Sequence, residues 1–505
     1  MADRDVDVGL GAAPVAEGGA EQAFERAARN TLARATGELL AKLASLAFFA
    51  VLARKLGQHG VGVFVFALAW AEISMLLASL GLDRAIIRWI ARDRARARRL
   101  FGDSVGIKVA LGVPIALVSF AIVNVIALGG TTRTAVYVLT LGALLDALTR
   151  ASFGVFTALE RSELTAVCLI AQRALAAALG IAALAAGYGV VAVTVTYTAA
   201  ASVGFALSVV LLRRRLRLTP IDAAPRGWRA LGVASVPFAV QDAFTVLLFR
   251  IDAVLLSLIA TTAAVGRYGS AYRLFESTFF LTYALGAAFA PMYTYLEPDG
   301  EPTVGGVFQR SLKLSLLLLV PPAVVFGTLA SFVSRTLFGA GLEAAAPALR
   351  ILAPVVVLIG LVTLSTSLVV SRRSPAAVVW LSGAMTALNV ALNLVLIPGL
   401  DERGAAIAML VTEAAFLVVA MRMALRAAGA RLSASTFAAP LVAGAAMAAA
   451  TLALRHAPGA ALAVGLAVYP AAFVLVERLI SPDDLAFVVG VARRRLWGAT
   501  PASRP

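Results

Sequence analysis

Three charged residues lie four apart at the start of the first long apolar stretch: Arg34, Glu38 and Lys42, in RATGELLAK. Residues spaced by four share one helix face, so they form a stripe in which opposite charges partly pair. The stripe keeps a net positive charge, which suits an anionic ligand such as phosphate. Because charges inside a membrane are costly, we predict that it lines a hydrated cavity. Headgroup contact for Arg34 and snorkelling for Lys42 are the alternatives.

A second polar group lies near the middle of the chain. Asp242 and Arg250 are eight residues apart, so they occupy nearly the same face of one helix two turns apart. The next apolar stretch carries Tyr268 and Tyr272 four apart, with Arg273 beside them. Tyrosine rings and hydroxyls can contact sugars, although an ordinary packed aromatic face explains them equally well. We predict that these five residues line the same cavity as the first stripe.

Four carboxylates in apolar surroundings are candidates for ion or proton coupling: Glu72, Asp252, Glu276 and Glu413. Burial disfavours the charged form of a carboxylate, so such a group can exchange a proton or bind a cation. The alternatives are a buried ion pair for Glu72, an interfacial pair of Asp252 with Arg250, and a hydrogen-bonded core role for Glu413.

The composition excludes most other chemistry. The chain is 61% hydrophobic and only 14% charged, with a mean hydropathy of +0.90, so we predict an integral membrane protein. Its single cysteine, Cys168, gives no disulfide framework or thiolate metal site, and no phosphate-binding P-loop is present. The net charge of +16 is spread between apolar stretches instead of forming one basic face, so we predict no nucleic-acid partner. We also predict no cofactor, no metal and no catalytic residues.

Fourteen stretches are long and apolar enough to cross a bilayer, which needs about 20 residues per helix. With the N-terminus inside, the inner segments hold 31 Lys and Arg residues and the outer segments 8, so both termini are predicted to be cytoplasmic. The stretches begin near residues 36, 61, 105, 135, 165, 190, 231, 266, 311, 347, 376, 404, 437 and 459.

An internal repeat divides the chain into two related halves. Val61–Ala67 followed by Glu72 aligns with Val265–Ala271 followed by Glu276 at a constant offset of 204 residues. The offset places span 2 on span 8, so each half has six spans and both halves share one topology. We predict an all-α protein with two pseudo-symmetric six-helix bundles around a central cavity and a C-terminal helix pair.

The predicted organisation has five parts. They are a disordered cytoplasmic tail (1–28), an N-lobe of six spans (29–217), a C-lobe of six spans (218–430), a helix pair (431–480) and a basic cytoplasmic tail (481–505).

Several segments resemble polysaccharide and O-antigen-type flippases of the multidrug/oligosaccharidyl-lipid/polysaccharide exporter superfamily. They are Leu52–Ala69 with Leu77–Ala91 at the second span, Asp252–Leu274 at the seventh and eighth, and Leu388–Glu413 at the eleventh and twelfth. The resemblance covers roughly residues 28 to 430, with the segments in the family's order. It implies two helical bundles facing each other across a cavity that opens by alternating access.

The resemblance also implies the function: a flippase that translocates undecaprenyl-pyrophosphate-linked oligosaccharides across the bacterial cytoplasmic membrane. Its partners would be the anionic lipid-linked glycan, membrane lipids and, as a candidate, a polysaccharide polymerase, and we predict a monomer. A lipid II flippase or a cation-coupled multidrug exporter of the same superfamily is the alternative. A membrane-embedded polyprenol-dependent glycosyltransferase is the alternative from another class, but it needs a larger outer loop than this sequence offers.

Overall fold

The N-terminal half is a set of long helices joined by short connections. The computed structural model describes residues 17–79, 81–126, 128–216, 225–296 and 303–480, and within these ranges it contains helices and no strand. The first six helices are α1 (Glu17–Ser79), α2 (Leu82–Arg92), α3 (Ala97–Val125), α4 (Gly130–Ala158), α5 (Ser162–Ala185) and α6 (Val190–Leu216).

The C-terminal half adds nine helices of the same kind. They are α7 (Pro225–Ile259), α8 (Thr262–Ser277), α9 (Phe279–Tyr295), α10 (Val304–Thr328), α11 (Ala330–Phe338), α12 (Ala346–Arg372), α13 (Pro375–Ala428), α14 (Ala434–Ala453) and α15 (Pro458–Ile480).

The longest helix, α1, folds back on itself. Its backbone leaves helical geometry at Gly57, where φ is 62°, a value that glycine adopts without steric cost. The rings of Phe48 and Phe64 have centroids 5.9 Å apart, whereas a straight helix would separate these residues by about 24 Å. Helix α1 is therefore two antiparallel limbs, a first limb before Gly57 and a second limb after it.

Helix α13 reverses in the same way. Its backbone is non-helical at Asp401, where φ is 49°. The amide of Asn389 donates to the hydroxyl of Thr412 at 3.4 Å, although a straight helix would place them about 35 Å apart. Helix α13 therefore also consists of a first and a second limb.

The helices agree with the predicted spans. Ten helical segments of the described residues are long and apolar enough to cross a membrane, and α1 and α13 are among them. Because α1 and α13 each have two limbs, these ten segments correspond to twelve spans. Helix α7 and the consecutive pair α8–α9 add one span each, which gives fourteen. The prediction of an all-α, multi-pass membrane fold is confirmed.

The predicted division into lobes and tails stays a prediction. Residues 217–224, at the predicted boundary between the lobes, and both ends of the chain, 1–16 and 481–505, lie outside the described residues. Residues 17–28 are helical, so part of the predicted disordered tail is a helix. The segment from Glu17 is rich in Ala, Glu, Gln and Arg, which are strong helix formers.

The two halves meet at one end through a pair of glycines. A Cβ atom on Gly62 would lie 1.9 Å from the carbonyl oxygen of Thr262, and one on Gly266 would lie 1.9 Å from that of Gln58. Each contact becomes the other when the repeat offset of 204 is applied. The second limb of α1 and the start of α8 therefore touch reciprocally, at a distance that only glycine permits.

The C-terminal helix pair is attached through α10. Lys313 Nζ lies 2.7 Å from Glu477 Oε1 of α15, and both side chains are buried. Gly444 of α14 lies against Val320 so closely that a Cβ atom would meet it at 2.5 Å. A buried ion pair and a tight apolar contact thus hold the pair against the second half.

Candidate functional site

A cavity of about 280 Å³ lies between the two halves, and we call it the central cavity. Both limbs of α1 with α5 and α6 form one wall, while α7, α8 and α9 form the other. Four basic side chains line it together with two carboxylates: Lys42, Arg173, Arg250 and Arg273, with Glu72 and Glu276. The cavity therefore carries two more positive than negative groups.

Arg250 is the centre of this charge cluster. Its Nε lies 2.5 Å from Glu72 Oε2 and its Nη2 lies 3.1 Å from Glu276 Oε1. Its guanidinium also lies over the ring of Tyr272, 5.9 Å from the centroid. Glu72 is on the second limb of α1 whereas Arg250 is on α7, so this ion pair links the two halves across the cavity.

Arg273 and Lys42 complete the predicted cationic lining. Arg273 Nη1 lies 2.9 Å from Glu276 Oε2, and its guanidinium covers the ring of Phe49 at 5.2 Å. Lys42, on the first limb of α1, is half-buried and borders the same cavity. The structure thus brings Lys42 together with Arg250 and Arg273, which lie more than 200 residues further along the chain.

Tyr268 and Asp252 lie behind Arg250 and do not border the central cavity. The Tyr268 hydroxyl donates to the Asp252 carboxylate, and both side chains are buried. With Arg250 and Tyr272 they border a void of only about 30 Å³. This pair can hold the Arg250 segment of α7 against α8.

Asp242 lies elsewhere, because it forms an ion pair with Arg84 of α2 at 2.8 Å. Helical spacing predicts that Asp242 and Arg250 lie on one face of α7. It does not predict that α2 packs against the Asp242 end of that face. Arg34 and Glu38 are on the first limb of α1, before the residues whose side chains the structure describes.

Arg173 and Tyr197 are the site residues that sequence reasoning missed. Arg173 Nη1 lies 2.5 Å from the Tyr197 hydroxyl, and its guanidinium is 5.6 Å from the ring centroid. The signal was available, because an arginine within the apolar sequence of α5 is costly unless it faces a polar cavity.

Glu413 lies in an adjoining cavity of about 180 Å³ between α7, α9, α12 and α13. Tyr283 borders both this cavity and the central one. Glu413 is buried, and its Oε2 has no hydrogen-bond partner among the described residues. Of the four predicted coupling carboxylates, Glu72 and Glu276 bind arginine and Asp252 binds Tyr268.

A family model described as "Polysaccharide biosynthesis protein" matches residues 27–295, more than half of the 505-residue chain. The chain belongs to this polysaccharide biosynthesis family. The predicted family resemblance is therefore confirmed. None of the curated proteins matches the sequence.

Solved structures show that this family member has a known transporter fold. It is similar to the lipid II flippase MurJ in an inward closed conformation, with a TM-score of 0.73 and 10% identity over 88% of this chain and 98% of that one. It is also similar to an inward-facing multidrug resistance MATE transporter of the MOP superfamily, with a TM-score of 0.65 and 18% identity over 77% and 95%. At these identities the similarity establishes the fold.

A third similar structure is a MOP superfamily transporter from Pyrococcus furiosus, whose binding pocket is described as having reverse polarity. Its TM-score is 0.55, with 17% identity over 79% of this chain and 96% of that one.

In this family member, the two halves touch each other at both ends of the second limb of α1. At the Gly57 end, Arg267 donates to Gln58 at 3.1 Å and the Gln58 amide donates to the carbonyl of Gly341 at 2.7 Å, beside the reciprocal glycine contacts. Glu402 of the same half as Arg267 holds its guanidinium at 2.8 and 2.9 Å. At the other end, Arg84 and Asp242 join α2 to α7, and a Cβ on Gly81 would lie 2.4 Å from the nitrogen of Ala239. Among the described residues the second contact has one ion pair, and its Arg84 side chain is 51% exposed, so this contact is the weaker one.

Proposed function

We propose that the protein is a flippase for undecaprenyl-pyrophosphate-linked oligosaccharide repeat units in polysaccharide export. The observation that supports this substrate is the net charge of the central cavity, four cations against two carboxylates, between two halves of a transporter fold. A pyrophosphate is anionic and can accept several hydrogen bonds from guanidinium groups. Membership of the polysaccharide biosynthesis family supports the glycan part of the proposal.

Arg250 would bind the pyrophosphate by exchanging partners. In the structure its charge is neutralised by Glu72 and Glu276. A phosphate that binds Arg250 competes with Glu72, and loss of the Glu72 contact removes an ion pair between the halves. Substrate binding would thereby favour separation of the halves, which is what alternating access requires. The polar head of the substrate would cross through the cavity between the halves while the lipid tail stays in the bilayer. The sugars and the pyrophosphate are then never exposed to hydrocarbon.

The proposed orientation follows the positive-inside rule. Both termini, the α2–α3 connection and the clustered arginines at the end of α6 would be cytoplasmic, in the bacterial inner membrane. The Gly57 end of the central cavity would then face outwards. We propose that a single chain is sufficient for transport, with a polysaccharide polymerase as a candidate partner that receives the product.

Glu413 is the proposed coupling residue. Its carboxylate is buried in a cavity next to the central one, and one of its oxygens has no hydrogen-bond partner among the residues that the structure describes, so uptake of a proton or a cation would change its energy strongly. This feature also favours the second candidate function, a cation-coupled exporter, which the MATE-like fold accommodates. The MurJ-like fold accommodates lipid II as the cargo. All these alternatives are transporters, and none requires the chain to be an enzyme.

The test is export in cells that lack the gene and carry a plasmid-borne copy. Arg250→Ala should abolish export and cause lipid-linked repeat units to accumulate on the cytoplasmic leaflet. The matched control is Arg350→Ala, because Arg350 is exposed and bonds only Ser331 among the described side chains. Protein levels are equalised by immunoblot. Normal export by the Arg250→Ala/Arg273→Ala double variant would refute the proposed function, and a gain of drug sensitivity without a glycan defect would favour the exporter.

A further inference from the structure

A second pocket of about 240 Å³ opens beside the central cavity, and we call it the side pocket. It lies within the first half, between the second limb of α1 and helices α4, α5 and α6. Glu72, Arg173 and Tyr197 border both spaces, so they form a shared wall. A ligand bound at Arg250 therefore has a neighbouring space into which one of its parts can extend.

The side pocket differs from the central cavity in charge. Its ionic side chains are two carboxylates, Glu72 and Asp146, and two guanidinium groups, Arg150 and Arg173, which balance. The remaining polar lining consists of Thr149, Thr165, Gln172 and Tyr197. The central cavity, in contrast, has an excess of two positive groups. The balanced charges of the side pocket suit a neutral, strongly hydrogen-bonding ligand, whereas the positive excess of the central cavity suits an anion.

The polar groups of the side pocket are held in place. Gln172 Nε2 lies 2.5 Å from Asp146 Oδ1, which fixes an amide and a carboxylate side by side. Helix α6 has a glycine opposite, and a Cβ atom on Gly204 would lie 2.9 Å from Gln172 Oε1. Tyr197 is held by its bond to Arg173, so an aromatic ring also borders the pocket. Carboxylate, amide and guanidinium groups beside an aromatic ring can bond hydroxyl groups and contact the apolar face of a sugar.

We propose that the side pocket binds a sugar unit of the lipid-linked glycan while Arg250 and Arg273 bind its pyrophosphate. This assignment rests on the proposed function and specifies it further, because it places glycan recognition in the first half of the molecule. Asp146 and Gln172 are then the residues that distinguish a glycosylated carrier from a bare polyprenyl pyrophosphate.

The experiment measures binding to the purified full-length protein in lipid nanodiscs. The probes are farnesyl diphosphate and farnesyl-diphosphate-linked hexose, N-acetylhexosamine and 6-deoxyhexose. At least one sugar-bearing probe should bind about tenfold more tightly than farnesyl diphosphate, as expected for a few added hydrogen bonds in a buried site. Asp146→Asn, which keeps the side-chain shape, and Gln172→Leu should each remove about this factor and leave farnesyl diphosphate binding unchanged.

Gln309→Leu is the matched control, since it makes the same amide-to-alkyl change where Gln309 bonds the carbonyl of Arg431, away from both cavities. It should change neither affinity. Thermal melting identifies any variant that fails to fold. If Gln172→Leu fails to fold, the Asp146→Asn variant decides the outcome.

The outcomes separate the two proposals. If the sugar-bearing probes bind no more tightly than farnesyl diphosphate, the side-pocket assignment is overturned but the proposed flippase function is not. The same holds if Asp146→Asn lowers the affinities for farnesyl diphosphate and for the sugar-bearing probes equally. Arg250→Ala should weaken every probe. If farnesyl diphosphate does not bind the wild type, or binds Arg250→Ala equally well, the proposed function itself fails.

Discussion

Closure of the Gly57 end of the central cavity should depend on the absence of a side chain at Gly266. Alanine at this position places its Cβ 1.9 Å from the Gln58 carbonyl oxygen, whereas ordinary contacts begin at 3.4 Å. The segments must therefore separate by about 1.5 Å, the difference of these distances. The obstructing atom belongs to the backbone, so no rotamer change can relieve the clash.

The magnitude follows from the cost of overpacking, which is about 1–3 kcal/mol per site. Applied only to the closed state, this cost shifts the balance between closed and open states by about 5- to 150-fold. Alanine also favours the helix over glycine by up to about 1 kcal/mol, so the fold itself should not be weakened. Gly62→Ala should act in the same way, because its contact with Thr262 is the repeat counterpart.

The assay is a spin-label distance measurement across the Gly57 end, between Lys55→Cys and Ile259→Cys, which are exposed and separated by the repeat offset. Gly266→Ala should move the distance distribution to longer values. Gly232→Ala is the control, since a Cβ there meets no described residue within 4 Å. The double variant Gly62→Ala/Gly266→Ala should add little, because one separation relieves both clashes. An unchanged distribution in both single variants would refute the reasoning.

Three further predictions concern buried charges. Arg250→Lys keeps the charge but loses the planar fork that bonds Glu72 and Glu276, so export should fall at least about tenfold in the export assay. Lys313→Met leaves the Glu477 carboxylate buried and unpaired, so thermal and denaturant unfolding should show a loss of about 3–5 kcal/mol, largely restored by also replacing Glu477 with Leu. Glu413→Gln should remove the dependence of transport on an ion gradient while binding of farnesyl diphosphate stays unchanged, and persistent gradient dependence would exclude it from coupling.

The number and type of the helices could be predicted because a bilayer imposes a simple rule. Each crossing needs about 20 apolar residues with all backbone hydrogen bonds made internally, so fourteen apolar stretches imply fourteen helices. The reversals at Gly57 and Asp401 fall between predicted stretches for the same reason. The helical residues that precede the first apolar stretch, from Glu17 onwards, depend on local helix propensity and were predicted less well.

The partners of the charged residues could not be predicted, because they are contributed by other helices. Helical spacing placed Asp242 and Arg250 on one face of α7, but Asp242 binds Arg84 of α2 and Arg250 binds Glu72 of α1. Glu72 was predicted either as an ion-pair partner or as a coupling site, and its contact with Arg250 places it in an ion pair. Such pairs join residues more than 150 positions apart, beyond the reach of any local pattern.

The repeat explains why the central cavity suits a single anion. Glu72 and Glu276 are repeat mates, and both bind the same arginine. The position equivalent to Arg250 in the first half is Leu46, which borders the cavity but carries no charge, and Ala69 is the equivalent of Arg273. The predicted repeat thus accounts for both carboxylates, whereas Arg250 and Arg273 have uncharged residues at the equivalent positions of the first half. A ligand whose pyrophosphate binds Arg250 and Arg273 would therefore be held by the second half, with its sugars directed to the first, and exchange of its phosphate for Glu72 would release one half from the other.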